Sequence, residues 1–220
     1  MSDTFRCVVG VPSGNTWDAQ FAMCLVNLVA YFDKCPVPGY TRQELRVVNV
    51  RSSILPRNRM NLVKAARAAK ATHLLFLDSD HTFPKDLVHR LGMARKLVVA
   101  ANCVTKQIPA RPTARAFSEE VAEGEPVYSE SQKLELVWRV GTGVMLVNMK
   151  VFAAIGDGCW DMKYLPERDD YQGEDWSFCE ALQKVGIPIW VDHGVSQQIG
   201  HVGSFEYTHA VIGELVQAAE

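Results

Sequence analysis

The segment from His73 to Asp80, HLLFLDSD, constrains the fold of this chain more than any other stretch. Its apolar run has no helical spacing and predicts a buried β-strand that leads directly into Asp78 and Asp80. Open parallel sheets bind ligands beyond the carboxyl ends of their strands, so both carboxylates are expected at the mouth of a crevice. Two hard oxygen ligands separated by Ser79 suit Mg²⁺ or Mn²⁺. The same residues would also serve as turn residues before a helix, whose N-terminal dipole favours acidic groups.

Strand and helix patterns alternate along the rest of the chain. Short apolar runs, for instance Phe5 to Pro12 and Leu45 to Val50, alternate with segments of helical spacing. This alternation predicts an α/β fold with a mainly parallel mixed sheet flanked by helices. The length suits a single domain over residues 1–220. Prolines and a glutamate run predict an irregular loop or hairpin around residues 105–133, and a C-terminal helix is predicted to end at Glu220.

Composition excludes several classes of protein. The formal net charge of -2 provides no global basic field for nucleic acid, which would need a local patch. The six cysteines are scattered without a CxxC pair, which favours reduced, packed thiols over disulfides or a zinc site. No stretch approaches the roughly 20 apolar residues of a membrane span, and the N-terminus has no apolar signal region. A soluble, cytoplasmic protein is expected.

Two acidic residues, Glu174 and Asp175, follow Gly173 at the start of a predicted helix. Acidic side chains in a first helical turn stabilise the helix without any further function. A carboxylate between Gly173 and Trp176 would also be placed in a pocket wall, where it could deprotonate an attacking hydroxyl. Both interpretations are open from the residues alone.

His201 lies between Gly200 and Gly203, after the last predicted strand. A single histidine is usually a packing or hydrogen-bonding residue, but flanking glycines would let the backbone approach a metal-phosphate centre closely. His81 is ambiguous because it adjoins Asp80, and His193 and His209 are interpreted as surface residues.

Arg57, Asn58 and Arg59 stand at the start of another predicted helix. Guanidinium groups and free backbone N–H groups at that position would suit a diphosphate. A solvated helix start is the alternative.

Taken together, these segments resemble the GT-A fold glycosyltransferases, in particular the family-2-like inverting enzymes. The matching segments occur in the family's order: VPSGN, PRNRMNLVKAA, FLDSD as the DxD motif, GTGVMLVNMKVF, GEDWSFCEALQKVGIPIWVD as the ED-containing helix and strand, and HVG. The resemblance covers the chain from about Phe5 to Gly203. It implies a Rossmann-like nucleotide-diphospho-sugar transferase domain.

The resemblance also implies roles for individual residues. Asp80 is the expected direct metal ligand, Asp78 a ligand of the metal, its water or the donor ribose, and His201 the residue that completes the metal shell. Asp175 is the expected catalytic base, with Glu174 as its neighbour or substitute. The donor is expected to be a nucleotide-diphosphate sugar, with a UDP-sugar favoured. Its pocket is expected to be formed by the turn after the first strand and by other donor-contacting residues: Pro12, Ser13, Asn15, Arg57, Asn58, Arg59, Ser79 and Gly143.

The chemistry fits these roles, because a departing diphosphate needs a cation and an attacking hydroxyl needs a base. Sugar transfer with inversion rests on the ED pair, and a retaining enzyme of the same fold stays open. The segment Val47 to Ser53, VVNVRSS, lacks the acidic residues that usually read the nucleobase, and Asn49 is the candidate substitute. The acceptor is not specified, although an anionic one would suit a path lined by four basic residues: Arg51, Lys106, Arg111 and Arg115.

Three alternatives stand beside this interpretation. LLFLDSDHTF also fits the signature of haloacid-dehalogenase-like phosphohydrolases, with Asp78 as nucleophile, Asp80 as acid/base and Mg²⁺ as cofactor. In those enzymes the DxD strand opens the domain, whereas two βα units precede it here. A sugar-1-phosphate nucleotidyltransferase would need a basic, glycine-rich first turn, which Pro12 to Asn15 does not provide. A non-catalytic binding module would not need DSD, GED and HVG together.

Overall fold

The computed structural model describes residues 4–121, 123–203 and 206–209. The strands in chain order are β1 Thr4–Ser13, β2 Arg42–Arg51, β3 His73–Leu77, β4 His81–Thr82, β5 Val98–Ala100, β6 Arg115–Ala116, β7 Glu125–Pro126, β8 Leu134–Val137, β9 Val144–Asn148, β10 Lys163–Leu165, β11 Asp170–Gln172, β12 Ile189–Asp192, β13 Gly200–Val202 and β14 Glu206–Tyr207. The helices are α1 Ala19–Lys34, α2 Leu55–Ala68, α3 Leu87–Met93, α4 Lys150–Ile155, α5 Glu174–Lys184 and α6 His193–Ser196, with a 3₁₀ turn at Asp157–Cys159. Residues 210–220, where a C-terminal helix is predicted, lie outside the described residues.

The central sheet has seven strands in the order β2-β1-β3-β9-β5-β12-β8. Strands β2, β1, β3, β5 and β12 share one direction, whereas β9 and β8 run against their neighbours. The prediction of a mainly parallel mixed sheet flanked by helices is confirmed. Because β9 lies between β3 and β5, its first residues stand beside the carboxyl end of β3, where the DSD segment leaves the sheet.

Apolar side chains cover both faces of this sheet. One layer includes Phe21 and Leu28 of α1 with Leu75 of β3, and the opposite layer includes Leu62 of α2 and Phe178 of α5 with Leu74. Alternate residues of β3 therefore enter different layers, and all five residues of the strand are buried. This two-sided burial explains the continuous apolar run in the sequence.

The segment predicted as an irregular loop or hairpin contains both packed and exposed residues. β6 and β7 pair in antiparallel register within it, and Ala114 and Val127 belong to the same buried layer as Phe178. The side chains of Ile108 and Phe117 are largely exposed. The segment is therefore fastened to the core while part of it faces solvent.

The six cysteines are free thiols, four of them buried, as the sequence predicts. In the part of the chain that the structure describes, no helix is both long and apolar enough to cross a membrane.

Candidate functional site

Backbone pairing brings the HVG segment against the DSD segment. The turn after β3 leads into β4, which pairs in antiparallel register with β13 so that His81 stands opposite His201. The amide of Val202 donates to the carbonyl of Asp80 at 2.7 Å, and the amide of Asp78 donates to the carbonyl of Gly143 at 2.8 Å. Three segments that are distant in sequence therefore meet at the carboxyl end of β3.

Asp80 is the centre of this meeting point. Its Oδ1 lies 3.2 Å from Nδ1 of His81, and its Oδ2 lies 3.5 Å from Nε2 of His201. The two imidazole rings are stacked with centroids 4.2 Å apart. The ammonium of Lys106 donates to Oδ2 of Asp80 at 2.5 Å. One carboxylate and two histidines thus form a cluster whose ligand atoms lie within 4.8 Å of one another.

The hydrogen bonds of this cluster determine which nitrogen can bind a metal. Nδ1 of His201 lies 2.7 Å from the carbonyl oxygen of Val104, and because a carbonyl only accepts, Nδ1 must carry the proton. In a neutral His201, the lone pair of Nε2 then faces Asp80. This is the arrangement of a metal-binding histidine whose other nitrogen is fixed by a carbonyl.

Several polar atoms of the cluster are buried and lack a hydrogen bond within the described residues. They are Oδ1 of Asp80 and both ring nitrogens of His81. Unpaired buried polar atoms are rare and are often explained by an ion or water. The donor set of one carboxylate oxygen and two imidazole nitrogens fits a divalent cation. It suits Mn²⁺ better than Mg²⁺, since Mg²⁺ prefers oxygen ligands and water.

The charge state of Asp80 supports the same interpretation. Burial by itself would raise the pKa of this carboxyl, but the adjacent side chains of His201, His81 and Lys106 outweigh burial and hold the pKa far below its usual range. Asp80 is therefore an anion at any ordinary pH.

Asp78 is expected to bind the metal or the ribose, but in the structure it pairs with Arg59. Its two carboxylate oxygens accept hydrogen bonds from Nη1 and Nη2 of Arg59 at 2.8 and 3.1 Å. The Arg59 side chain is only 2% exposed, and its Nε lies 3.6 Å from Oε1 of Glu174. Asp78 and Glu174 form an ion triad with the buried Arg59, which ties the end of β3 to the start of α5. The third potential ligand beside Asp80 and His201 is His81.

The same triad bears on the prediction that the start of α2 binds a diphosphate. Arg59 was expected to bind a diphosphate, but its guanidinium is buried against the two carboxylates. Asn58 is buried as well, and its Nδ2 donates to the carbonyl of Ser52 at 2.9 Å. Arg57, by contrast, is exposed. Of these three residues, only Arg57 is accessible to a ligand.

Asp175 lies in the first turn of α5 and lines a cavity of about 170 Å³ together with Tyr171 and Trp176. Its Oδ1 accepts a hydrogen bond from the amide of Trp176 at 2.8 Å. Burial and the adjacent charge of Glu174 raise the pKa of Asp175 to about 6. Such a carboxylate is ionised at neutral pH and is a stronger base than an ordinary aspartate. Glu174 itself is 7% exposed and contacts Arg59, so it supports the site from inside.

A second cavity lies at the carboxyl ends of β1 and β2. Its volume is about 430 Å³, and it is lined by Gly14, Asn15, Arg51, Ser52 and Ser53. Pro12 and Ser13 are buried beneath it. Nδ2 of Asn49 joins the two strands there by donating to the Val11 carbonyl at 2.9 Å and to Oγ of Ser13 at 2.8 Å.

The chain that follows Asn15 is held against the DSD segment, because the amide of Asp18 donates to the carbonyl of Ser79 at 3.2 Å. On the other side of Asp78, Gly143 packs against His81. A Cβ atom at position 143 would lie 2.9 Å from Cε1 of His81, which is closer than real contacts allow. Glycine is therefore needed for His81 to occupy its position.

Some residues of the site were missed or misplaced by the sequence analysis. Lys106 was assigned to a surface path but contacts Asp80, and Arg51 lines the cavity beside Asn15. The interpretation of His193 as a surface residue is wrong, because His193 is 1% exposed and lies between Ser129 and Glu135. For His81, the adjacency to Asp80 in the sequence indicates a place in the site. No local pattern indicates where Lys106, Arg51 and His193 lie.

No protein-family model and no curated protein matches the sequence. Solved structures do match. A197 from STIV is 15% identical with a TM-score of 0.58, and the alignment covers 90% of this chain and 86% of that one. The catalytic domain of Drosophila β1,4-galactosyltransferase 7, in complex with xylobiose, is 13% identical with a TM-score of 0.52, covering 90% and 71%. The chain has a GT-A-like fold. At these identities the likeness establishes the fold only, and an activity must be argued from the site.

Proposed function

We propose that this protein is a metal-dependent glycosyltransferase that moves a sugar from a nucleotide-diphosphate donor to a hydroxyl group, with inversion. The observation that carries the proposal is the cluster of Asp80, His81 and His201 at the carboxyl end of β3. A GT-A-like fold with potential metal ligands at this point fits chemistry in which a diphosphate departs.

Asp80, His81 and His201 would hold the cation, with Mn²⁺ as the first choice. When bound, such a cation neutralises the negative charge that develops on a leaving diphosphate. The Lys106 ammonium, which contacts Asp80, supplies a second positive charge in reach of the same diphosphate.

The cavity at the ends of β1 and β2 would hold the nucleoside of the donor. Asn15 and Arg51 offer hydrogen-bond donors there, and the backbone bond from Asp18 to Ser79 holds the chain after Asn15 against the segment that carries Asp80. A UDP-sugar is the donor to test first. The lining has no carboxylate to read a base, so we expect weaker discrimination among nucleobases than an acidic residue would provide.

Asp175 would take the proton from the acceptor hydroxyl as that oxygen attacks the sugar carbon. Its raised pKa and its place in a separate cavity support this role. The ion triad of Asp78, Arg59 and Glu174 would keep the base and the cation cluster at a fixed separation, because it joins the two segments that carry them. Inversion requires base and leaving group on opposite faces of the sugar, which two separate sites allow.

The phosphohydrolase alternative needs Asp78 as a free nucleophile. Both oxygens of Asp78 accept hydrogen bonds from the buried Arg59 guanidinium, and such charge-assisted bonds withdraw the lone pairs that would attack phosphorus. This contact argues for a structural role of Asp78 and against that alternative.

The test is to incubate the protein with UDP-, GDP- and ADP-sugars with and without Mn²⁺ and to measure the release of nucleoside diphosphate. We expect release from one donor only when Mn²⁺ is present, and its loss in Asp80→Ala. Asp33→Asn, an exposed residue of α1, is the matched control. Phosphate release from a phosphomonoester, with no nucleoside diphosphate from any donor, would replace this proposal by the phosphohydrolase.

A further inference from the structure

A third cavity adjoins the one that contains Asp175. Its volume is about 450 Å³, and Arg111, Arg115, Glu123 and Tyr128 are among its lining residues. Glu123 also lines the Asp175 cavity, so the two cavities share a wall. Nothing in the proposed donor or metal chemistry uses this third cavity.

Positive charge exceeds negative charge among the residues that line this cavity. No carboxylate of the described residues lies within ion-pair distance of Arg111 or Arg115. Glu123, the only acidic residue in the described lining, is paired with Arg168 at 2.6 Å. The neighbouring Glu119, Glu120 and Glu125 are exposed and do not line the cavity. An excess of positive charge therefore faces the cavity.

Arg111 and Arg115 both line this cavity. Nη1 of Arg115 donates to the carbonyls of Pro112 and Ala114 at 2.6 and 3.1 Å, which fixes its direction. Burial lowers the pKa of Arg115, and the charge of Arg111 acts in the same direction, while Glu123 and Tyr128 oppose it. Two cations that line one cavity, with no carboxylate of the described residues at ion-pair distance, suit an anion of higher charge.

We propose that Arg111 and Arg115 bind a phosphate group of the acceptor, so that the acceptor is a phosphorylated hydroxyl compound. The volume suits a group the size of a sugar phosphate. Tyr128, which is 49% exposed, and Val121 supply an apolar surface for the carbon skeleton. The acceptor would extend past Glu123 and bring its hydroxyl to Asp175. This inference rests on the proposed function, since it names the acceptor class for the same reaction.

Glu123, in the wall between the two cavities, allows a variant in which binding affinity should increase, whereas most substitutions reduce it. In Glu123→Gln the cavity loses its negative charge, and the positive charge of Arg168 is no longer compensated. We therefore expect this variant to bind a phosphorylated probe more tightly than the unaltered protein. A gain of affinity cannot result from partial unfolding.

The test uses glucose 6-phosphate and glucose as probes in isothermal titration calorimetry, without metal or nucleotide. We expect binding of glucose 6-phosphate only, weakened about tenfold or more by Arg111→Ala and strengthened severalfold by Glu123→Gln. Arg111 is the better residue to replace, because no hydrogen bond of its side chain is seen within the described residues. Arg46→Ala, an exposed arginine of β2, should change nothing.

Equal binding of both sugars, no binding of either, or a loss caused by Arg51→Ala rather than Arg111→Ala would overturn the inference. Because these titrations contain neither donor nor metal, they test this cavity independently of sugar transfer. Phosphate-dependent binding without any release of nucleoside diphosphate would refute the proposed function and the acceptor role that depends on it, and would leave the phosphate site itself in place.

Discussion

Asp80 is in contact with side chains from three different parts of the chain. His81 follows it directly, His201 reaches it through strand pairing, and Lys106 approaches from the loop after Val104. Lys106 competes with any cation for Oδ2, since its ammonium donates to that oxygen at 2.5 Å. The affinity of the cluster for a metal therefore depends on a residue that is not itself a metal ligand.

Replacing Lys106 by alanine should raise the affinity for Mn²⁺ in the absence of nucleotide. We expect the dissociation constant to fall about tenfold, since one charge-assisted contact of about 1.5 kcal/mol no longer has to be broken. Titration followed by the electron paramagnetic resonance signal of free Mn²⁺ measures this. Lys64→Ala, at an exposed position of α2, is the control. Unchanged or weaker Mn²⁺ binding in Lys106→Ala would show that the lysine does not compete.

Asp175 should set the acidic limb of the pH profile. A general base must be ionised, so the rate of nucleoside diphosphate release should fall as pH drops below the raised pKa of about 6. Asp175→Asn should lower the rate by about 10²-fold or more, and its residual rate should lose this acidic limb. A mutant profile with the same limb would assign the titration to another group.

The same carboxyl should make the fold less stable at high pH. Its pKa is raised from 3.8 to about 6, so the folded protein binds the proton more tightly than the unfolded chain does. Ionised Asp175 then costs up to about 3 kcal/mol above pH 6, and this cost disappears as pH falls toward 4. Asp175→Asn should therefore raise the free energy of unfolding at pH 8 and leave it unchanged near pH 4. Urea denaturation at both pH values checks this, and equal effects would contradict it.

At the scale of elements, α2 and α5 are joined to β3 by one buried guanidinium. Arg59 lies between Asp78 at the end of β3 and Glu174 at the start of α5. Arg57, one helical position to the other side of Asn58, is exposed. The helical period thus separates two nearby arginines into a buried and a solvated one.

Arg59→Met should be far more destabilising than Arg57→Ala. Removing the guanidinium leaves the buried Glu174 and the partly exposed Asp78 without a counter-charge, and we expect a loss of about 3 kcal/mol in the free energy of unfolding. An exposed arginine such as Arg57 should change it by about 0.5 kcal/mol or less. Urea denaturation measures both variants, and Arg59→Lys, which keeps the charge, should fall between them. Similar free energies of unfolding for Arg59→Met and Arg57→Ala would mean that the triad does not stabilise the fold.

At the scale of the whole molecule, the carboxyl ends of β1, β2 and β3 open on the same side of the sheet. The cavity beside Asn15 and the cluster around Asp80 are therefore neighbours, and a ligand that spans them should bind best when the cation is also present. Such joint binding would stabilise the folded state by mass action.

UDP and Mn²⁺ together should raise the melting temperature more than the sum of their separate effects. At about 100 times the dissociation constant the stabilisation is about 2.7 kcal/mol, which corresponds to about 5–10 °C for a chain of this size. Differential scanning fluorimetry with each ligand alone, with both, and with a chelator measures the effect. Asp80→Ala should abolish the joint shift, whereas a UDP shift that is unaffected by chelator would exclude the cation from donor binding.

The sequence by itself determined the main strands and helices of the central sheet and the class of fold. The uninterrupted apolar run of β3, the period of α1 and the acidic start of α5 depend on neighbours a few residues away, and local patterns record such neighbours directly. It also determined that Asp78 and Asp80 leave the sheet together at its ligand-binding end.

Only the tertiary structure decided which charged and titratable side chains contact one another. Strand pairing takes His201 to Asp80, whereas His193, which the sequence predicts at the surface, is buried beside Glu135. Asp78 and Asp80 are two residues apart, yet Asp78 pairs with Arg59 and Asp80 faces two imidazoles. Packing between different elements sets these partners, across up to more than a hundred residues for Asp80 and His201, and no local pattern encodes that packing.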